Sequence, residues 1–255
     1  MRVVFIGSGN LATRLSLEMR KVGMEIAQIY SPTAGHALEL AEKLACSWTD
    51  CLDEVRDDAD LYVFSLKDAI LQEVVSRLRP NPGIWVHTAG SMPMGVFEGY
   101  ASRYGVMYPL QTFSKKRDVE FKRIPFFLEA NTREVEHVLE DVASRLSDRV
   151  SLLSSEKRKH IHLAAVFACN FTNHIYALAG KILEEQEIPM DVLLPLIDET
   201  AAKIHEMSPA QAQTGPAIRY DENVINKHLA MLDDVDRKNL YELLSRSIYK
   251  EARDE

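Results

Sequence analysis

The sequence predicts an α/β fold: a Rossmann-type N-terminal domain with a mainly parallel sheet, followed by an all-α C-terminal domain. Three observations predict it. Short apolar, β-branched runs alternate with helical stripes through about the first 150 residues, the pattern of βα units on a parallel sheet. A glycine turn joins the first strand to the first helix. After Leu153 no strand-like run recurs.

The run 3–6 (Val-Val-Phe-Ile) starts the first strand and leads into Gly7-Ser8-Gly9-Asn10-Leu11-Ala12, a G-x-G-x-x-A turn. Leu11, Leu15, Met19 and Val22 follow at helical spacing, Gly23 ends the helix, and 25–30 is the second strand. This is the dinucleotide fingerprint in the strand–turn–helix context it requires. Gly7 permits the tight turn, Gly9 lets backbone approach a pyrophosphate, and Ala12 lets helix pack on strand. The phosphates then meet N–H groups at a helix N-terminus. Leu38, Ala41 and Leu44 mark a second helix. Residues 61–65 form a buried strand, followed by a helix carrying Ile70, Val74, Val75 and Leu78. Pro80 to Gly83 break that helix, and 84–88 is the next strand. Residues 106–108 and 125–129 are shorter strands, and Val135, Val138, Leu139, Val142 and Leu146 form one more helix stripe.

From Ser154 onward the pattern is helical: 156–185, 190–206, 222–232 and 235–252, with the tail from Lys250 to Glu255 expected to be a solvated end. The expected domains are therefore 1–153, binding NAD(P), and 154–255, binding substrate and dimerising. The first long helix is apolar over much of its surface, which points to burial against a second copy.

Bulk properties narrow the function. Of 255 residues, 46% are hydrophobic and 27% charged, with a net charge of −8. That balance disfavours binding along a nucleic-acid backbone. No apolar run approaches the roughly 20 residues of a membrane span. Met1 leads straight into a strand, and three cysteines have no metal-ligand spacing. A cytoplasmic protein without a metal site is expected.

Ligands of such a sheet sit beyond the carboxyl ends of its strands. After the second strand comes Tyr30-Ser31-Pro32-Thr33, without the acid usual for NAD or the Arg usual for NADP. Ser31 and Thr33 can donate to a 2′-phosphate, a weak lean to NADP over NAD. An unliganded Ser-Pro turn is the alternative. Ser65 and Leu66 follow the strand at 61–65, and Asp68 is placed to cap the next helix. His87, Ala89 and Gly90 follow the next strand, where small residues let a nicotinamide ring lie on backbone, and Ser91 is a possible cap. The segment Tyr108 to Phe113 either lines an interdomain cleft or is a plain loop. In the helical domain His162, Asn170, Asn173 and His174 interrupt an apolar helix. Asn170 and His174 share a face at i,i+4, and His162 lies about 12 Å from Asn170 along the axis. Arg219, in Thr214-Gly215-Pro216-Ala217-Ile218-Arg219, suits a carboxylate. The alternatives are satisfied core polar groups and an Arg219–Asp221 surface pair.

The order of G-S-G-N-L-A, H-T-A-G-S, Y-P-L-Q-T-F, H-L-A-A-V-F-A-C-N-F and T-G-P-A-I-R-Y-D-E-N-V-I-N-K-H-L resembles a bacterial family of Rossmann-like proteins. Its C-terminal half is a domain of unknown function. That family is similar in architecture to pyrroline-5-carboxylate reductase and the β-hydroxyacid dehydrogenases. The resemblance implies a nicotinamide-binding N-domain, a helical domain like that of 6-phosphogluconate dehydrogenase, and a dimer. The chain departs from these relatives twice. No Lys precedes Asn170 where the hydroxyacid dehydrogenases carry a catalytic one, and Tyr108 stands where the family has His.

The sequence thus predicts an NAD(P)-dependent oxidoreductase acting on a small, carboxylate-bearing substrate in the interdomain cleft. His162 and Asn170 serve as proton donor or substrate anchor, and Arg219 as carboxylate anchor. The alternative is a non-catalytic nucleotide-binding sensor or assembly protein on the same fold.

Overall fold

The computed structural model describes residues 1–254. The expected alternation is present from the N-terminus: β1 (Arg2–Ile6), α1 (Asn10–Lys21), β2 (Glu25–Tyr30), α2 (Ala34–Leu44), β3 (Ser47–Thr49), β4 (Leu61–Phe64), α3 (Asp68–Arg77) and β5 (Ile84–His87). Then come β6 (Tyr104–Pro109), β7 (Phe126–Ala130), α4 (Arg133–Leu146) and β8 (Val150–Leu152). The strands form one sheet in the order β3-β2-β1-β4-β5-β6-β7-β8. The first six are parallel, β7 runs antiparallel to β6, and β8 is parallel to β7. This is the doubly wound Rossmann order with two added strands. A parallel return after β6 needs a crossover helix. Only a three-residue 3₁₀ turn, Phe121–Arg123, forms before β7, and the strand comes back antiparallel. The short strands β3 and β8 were not legible in the sequence, having three residues each.

The period-2 alternation of β1 separates two cores. Val3 and Phe5 pack with Leu15, Met19, Leu40, Val135 and Leu139 of α1, α2 and α4. Val4 and Ile6 pack on the other face with Tyr62, Leu71, Val75, Trp85 and Phe97. Each such side chain contributes about 1.5–3 kcal/mol by leaving water, which fixes the strand register on which the site depends. Thr132 caps α4 by accepting from the Val135 N–H. Residue Asp68 does not cap α3. Lys67 is the N-cap, without a side-chain bond, and the Asp68 carboxylate instead accepts from Ser91 Oγ.

Helix α5 (Ser155–Ala165) continues through a π-helical stretch, Val166–Phe171, into α6 (Thr172–Glu184). Then come α7 (Leu194–Lys203), α8 (Pro209–Ala212), α9 (Glu222–Met231) and α10 (Val235–Asp254). The expected solvated tail is helical to Asp254, and Glu255 lies outside the described residues. The chain forms two compact units, Met1–Cys169 and Asn170–Glu255. Strand character ends near Leu153, as the sequence suggested, but the first unit extends further because residues of α5 are anchored in it. In the second unit Asp221 caps α9, and Ser208 and Gln211 form a reciprocal capping box. Its buried apolar residues, among those described, are Ala217 and Ile225. No helix among the described residues is long and apolar enough to cross a membrane.

Candidate functional site

One register line crosses the sheet through Tyr30, Ile6, Phe64, His87 and Val106. The residues that follow Tyr30, Ile6, Phe64 and His87 leave the sheet together at its carboxyl edge. Gly7 N–H donates to the Tyr30 carbonyl at 2.8 Å, Ser65 N–H to Ile6 at 2.8 Å, and Thr88 N–H to Phe64 at 3.1 Å. Three loops predicted from separate motifs are thereby held side by side.

Gly7 has φ +123°, and a Cβ there would meet the Ser65 carbonyl oxygen at 2.2 Å. Only glycine fits. Gly9 is different: its φ is −72° and a Cβ would meet nothing within 4 Å. The open space above Gly9 is the cradle that a pyrophosphate would occupy. Helix α1 starts there with no side-chain cap and no acidic residue in its first turn. Its leading N–H groups are available to an anion. Ser8 is buried, Leu11 half-buried, and Gly9 and Asn10 exposed. The residues present therefore fit a dinucleotide.

Ser31 is buried, and its Oγ accepts from the Thr33 N–H at 3.4 Å. Thr33 is exposed at the N-cap of α2, without a side-chain capping bond. Ser65, Leu66 and Ala89 are half-buried along the same edge. The His87 imidazole, expected to face a cofactor, is sealed inside against the Phe97 ring, 5.7 Å between centroids. Its Nδ1 accepts from the Ala89 N–H at 3.2 Å. Its Nε2 is buried without a hydrogen-bond partner.

Burial, with the Arg158 guanidinium second, holds the His87 imidazole down at a pKa of about 3. The unfolded chain therefore binds a proton at His87 between pH 6.5 and about 3 that the folded chain refuses. Stability from this group is complete above pH 6.5 and is lost as pH falls, with a slope of up to about 1.4 kcal/mol per pH unit. Urea unfolding at pH 6.5 and 4.5 should show that slope reduced in His87→Asn. An unchanged slope would contradict it.

Helix α5 brings chemistry into the first unit. His162 Nδ1 lies 3.0 Å from the Tyr108 hydroxyl, with the rings edge-on. Gly90 is pressed against the same imidazole: a Cβ there would sit 2.5 Å from Nδ1 and 2.6 Å from Cγ. The H-T-A-G-S loop, β6 and the helix predicted to carry an acid thus meet at one point. Tyr108 is buried, and burial raises its phenol above the ordinary value, opposed by Arg158 and assisted by Cys169. Beneath them is an ion pair that the sequence did not reveal. Arg158 is fully buried and donates to Glu129 Oε2 at 2.7 Å, to the Met92 carbonyl and to Ser155 Oγ. Ser155 Oγ donates to Glu129 at 2.6 Å and accepts from the Met94 N–H. This network ties α5 to the loop after β5. In the sequence Arg158 sits in Glu156-Lys157-Arg158-Lys159-His160, which reads as a solvated charge run.

The remaining predicted residues lie in the second unit. Asn170 is exposed within the π-helical stretch, so the regular spacing assumed between it and His162 does not hold. Arg219 is exposed at the end of the Pro216–Arg219 turn. It makes no ion pair among the described residues, because the Asp221 carboxylate caps α9 instead.

The sheet order and the glycine turn define a Rossmann-type protein with a helical C-terminal region. Residues 2–86 match the family described as NADP oxidoreductase, coenzyme F420-dependent, and residues 124–248 match a domain of unknown function, DUF2520. The chain belongs to the family of Rossmann-type proteins that joins these two domains. It is 55% identical to a crystal structure from Bacteroides fragilis whose name proposes an NADP oxidoreductase, with a TM-score of 0.93 over 98% of each chain. A pyrroline-5-carboxylate reductase from Streptococcus pyogenes shares the fold at 15% identity and TM-score 0.64, covering 100% of this chain and 97% of that one. A reductive aminase from Aspergillus terreus, in complex with NADPH, does so at 12% identity and TM-score 0.72, covering 96% and 94%. No curated protein matches the chain.

Proposed function

We propose that this protein is an NADP(H)-dependent oxidoreductase acting on a small, carboxylate-bearing substrate. The observation that carries the reading is the pairing of two features at one sheet edge. The Gly7–Gly9 turn leaves an uncapped helix N-terminus and open space above Gly9, and His162, bonded to Tyr108, lies against Gly90 of a neighbouring loop. When bound, a nicotinamide cofactor supplies the hydride chemistry. The chain supplies the rest. The α1 amides hold the pyrophosphate, Ala89 and Gly90 offer backbone to the nicotinamide ring, and His162 holds the proton that accompanies hydride transfer. Asn170 and Arg219 are assigned to the substrate's polar group and carboxylate.

NADP is favoured over NAD because no acid follows Tyr30 and because Ser31 and Thr33 stand at the α2 N-terminus. The Bacteroides relative's name supports it. The preference is modest, since no Arg clamps a 2′-phosphate there. Paired fluorescence titrations should give NADPH binding at least as tight as NADH. A strong NADH preference would overturn the assignment.

The protein is further proposed to be a cytoplasmic homodimer. In the second unit Ile175, Ile182, Leu194, Leu196 and Leu243 are exposed, more apolar surface than a monomer normally presents. Light scattering should give about twice 28.9 kDa. A concentration-independent monomer would refute the dimer.

A further inference from the structure

We propose that Tyr108 is a positioning residue: its hydroxyl donates to His162 Nδ1 and holds the imidazole with Nε2–H as the donor offered to the substrate. The proposal rests on His162 being the proton-bearing group of the site, as assigned above.

The direction of the hydrogen bond follows from counting partners. A neutral imidazole has one donor nitrogen and one acceptor nitrogen, whereas a phenol can do either. If Nδ1 carried the proton and donated to Tyr108, the phenolic hydrogen would need a second acceptor. Tyr108 is buried, and among the described residues its hydroxyl meets only His162. Donating to His162 gives that hydrogen a protein partner within a residue almost wholly out of solvent. The phenol therefore donates, Nδ1 accepts, and the imidazole proton sits on Nε2. Burial also favours the protonated phenol, so the donor is present at neutral pH. Nε2 has no protein partner and is not among the sealed polar atoms, so it is open to a ligand.

Tyr108 faces the Phe127 ring from β7, His162 and Arg158 from α5, and Cys169. The positive charge of Arg158 is committed to Glu129, and Glu129 is committed in turn to Arg158 and Ser155. No carboxylate in the first unit forms an ion pair with His162 among the described residues. A substrate oxygen is an acceptor and would meet the Nε2–H directly. Gly90 completes the device, because any side chain there would push the imidazole off Tyr108.

Long-range ¹H–¹⁵N spectra of histidine-labelled protein test this, with His162 assigned by its loss in His162→Ala. Wild type should show a protonated Nε2 and an unprotonated, accepting Nδ1. Tyr108→Phe keeps the ring against Phe127 and removes one hydrogen bond, so the ratio of the two tautomers should fall about fivefold. Gly90→Ala displaces the imidazole without altering either partner and should have the same effect, which covers a failure of the first variant to fold. A protonated Nδ1 in wild type, or an unchanged ratio in the folded variants, overturns the proposal. Loss of NADPH binding by wild type would remove the proposed function and leave the tautomer result standing, so the two failures are distinguishable.

Discussion

Arg158→Ala is expected to be the most destabilising single change in the site region, at about 3–5 kcal/mol. The guanidinium is fully buried and holds Glu129, the Met92 carbonyl and Ser155 together. Removing it leaves a carboxylate, largely out of solvent, without its counter-charge, and a carbonyl without its donor. Breaking one side of such a pair is costly because the survivor stays desolvated, whereas replacing both sides can be nearly neutral. Arg158→Met with Glu129→Leu should therefore recover most of the loss. At roughly 2–4 °C of Tm per kcal/mol for a chain of this size, the single variant should melt at least 6 °C lower. A loss below about 1 kcal/mol by urea denaturation would mean that water reaches the pair and screens it.

His162→Ala is expected to lower turnover by about 10²- to 10⁴-fold, the usual contribution of a general acid, with NADPH affinity intact. The imidazole is the half-buried group that Tyr108 and Gly90 hold in place. An alanine removes the proposed proton donor and leaves the glycine turn untouched. Arg219→Lys should instead raise KM with little change in kcat, since Lys keeps the charge and loses the planar fork. These assays follow from any substrate that oxidises NADPH. A His162→Ala enzyme with normal kcat would return the histidine to a purely structural role.

The fold was legible because its signals are local. Val3 to Ile6, the glycine turn and the α1 stripe each specify their own geometry, and the helices after Ser154 declare themselves by period. The loops at the carboxyl edge were legible for the same reason, since strand register alone brings Gly7, Ser65 and Thr88 into line. What could not be read depends on contacts far apart in sequence. Arg158 looks solvated until α5 docks it on Glu129, 29 residues away. His87 looks like a cofactor contact until β5 turns its side chain inward against Phe97. Tyr108 stands out as a departure from the family, but spacing cannot name its partner, 54 residues on. The π-helical stretch around Asn170 has no sequence signature that period counting detects, and it changes which residues share a face.

The central claim is that the glycine turn binds a nicotinamide dinucleotide. Gly9 tests it with little ambiguity, because its backbone is unstrained and a side chain there meets no protein atom within 4 Å. Gly9→Asp should fold as wild type by circular dichroism, yet it places a carboxylate where the pyrophosphate would lie. In a calorimetric titration with NADPH, wild type should bind and Gly9→Asp should show no binding. Equal binding by both proteins would contradict the assignment of this turn as the cofactor site.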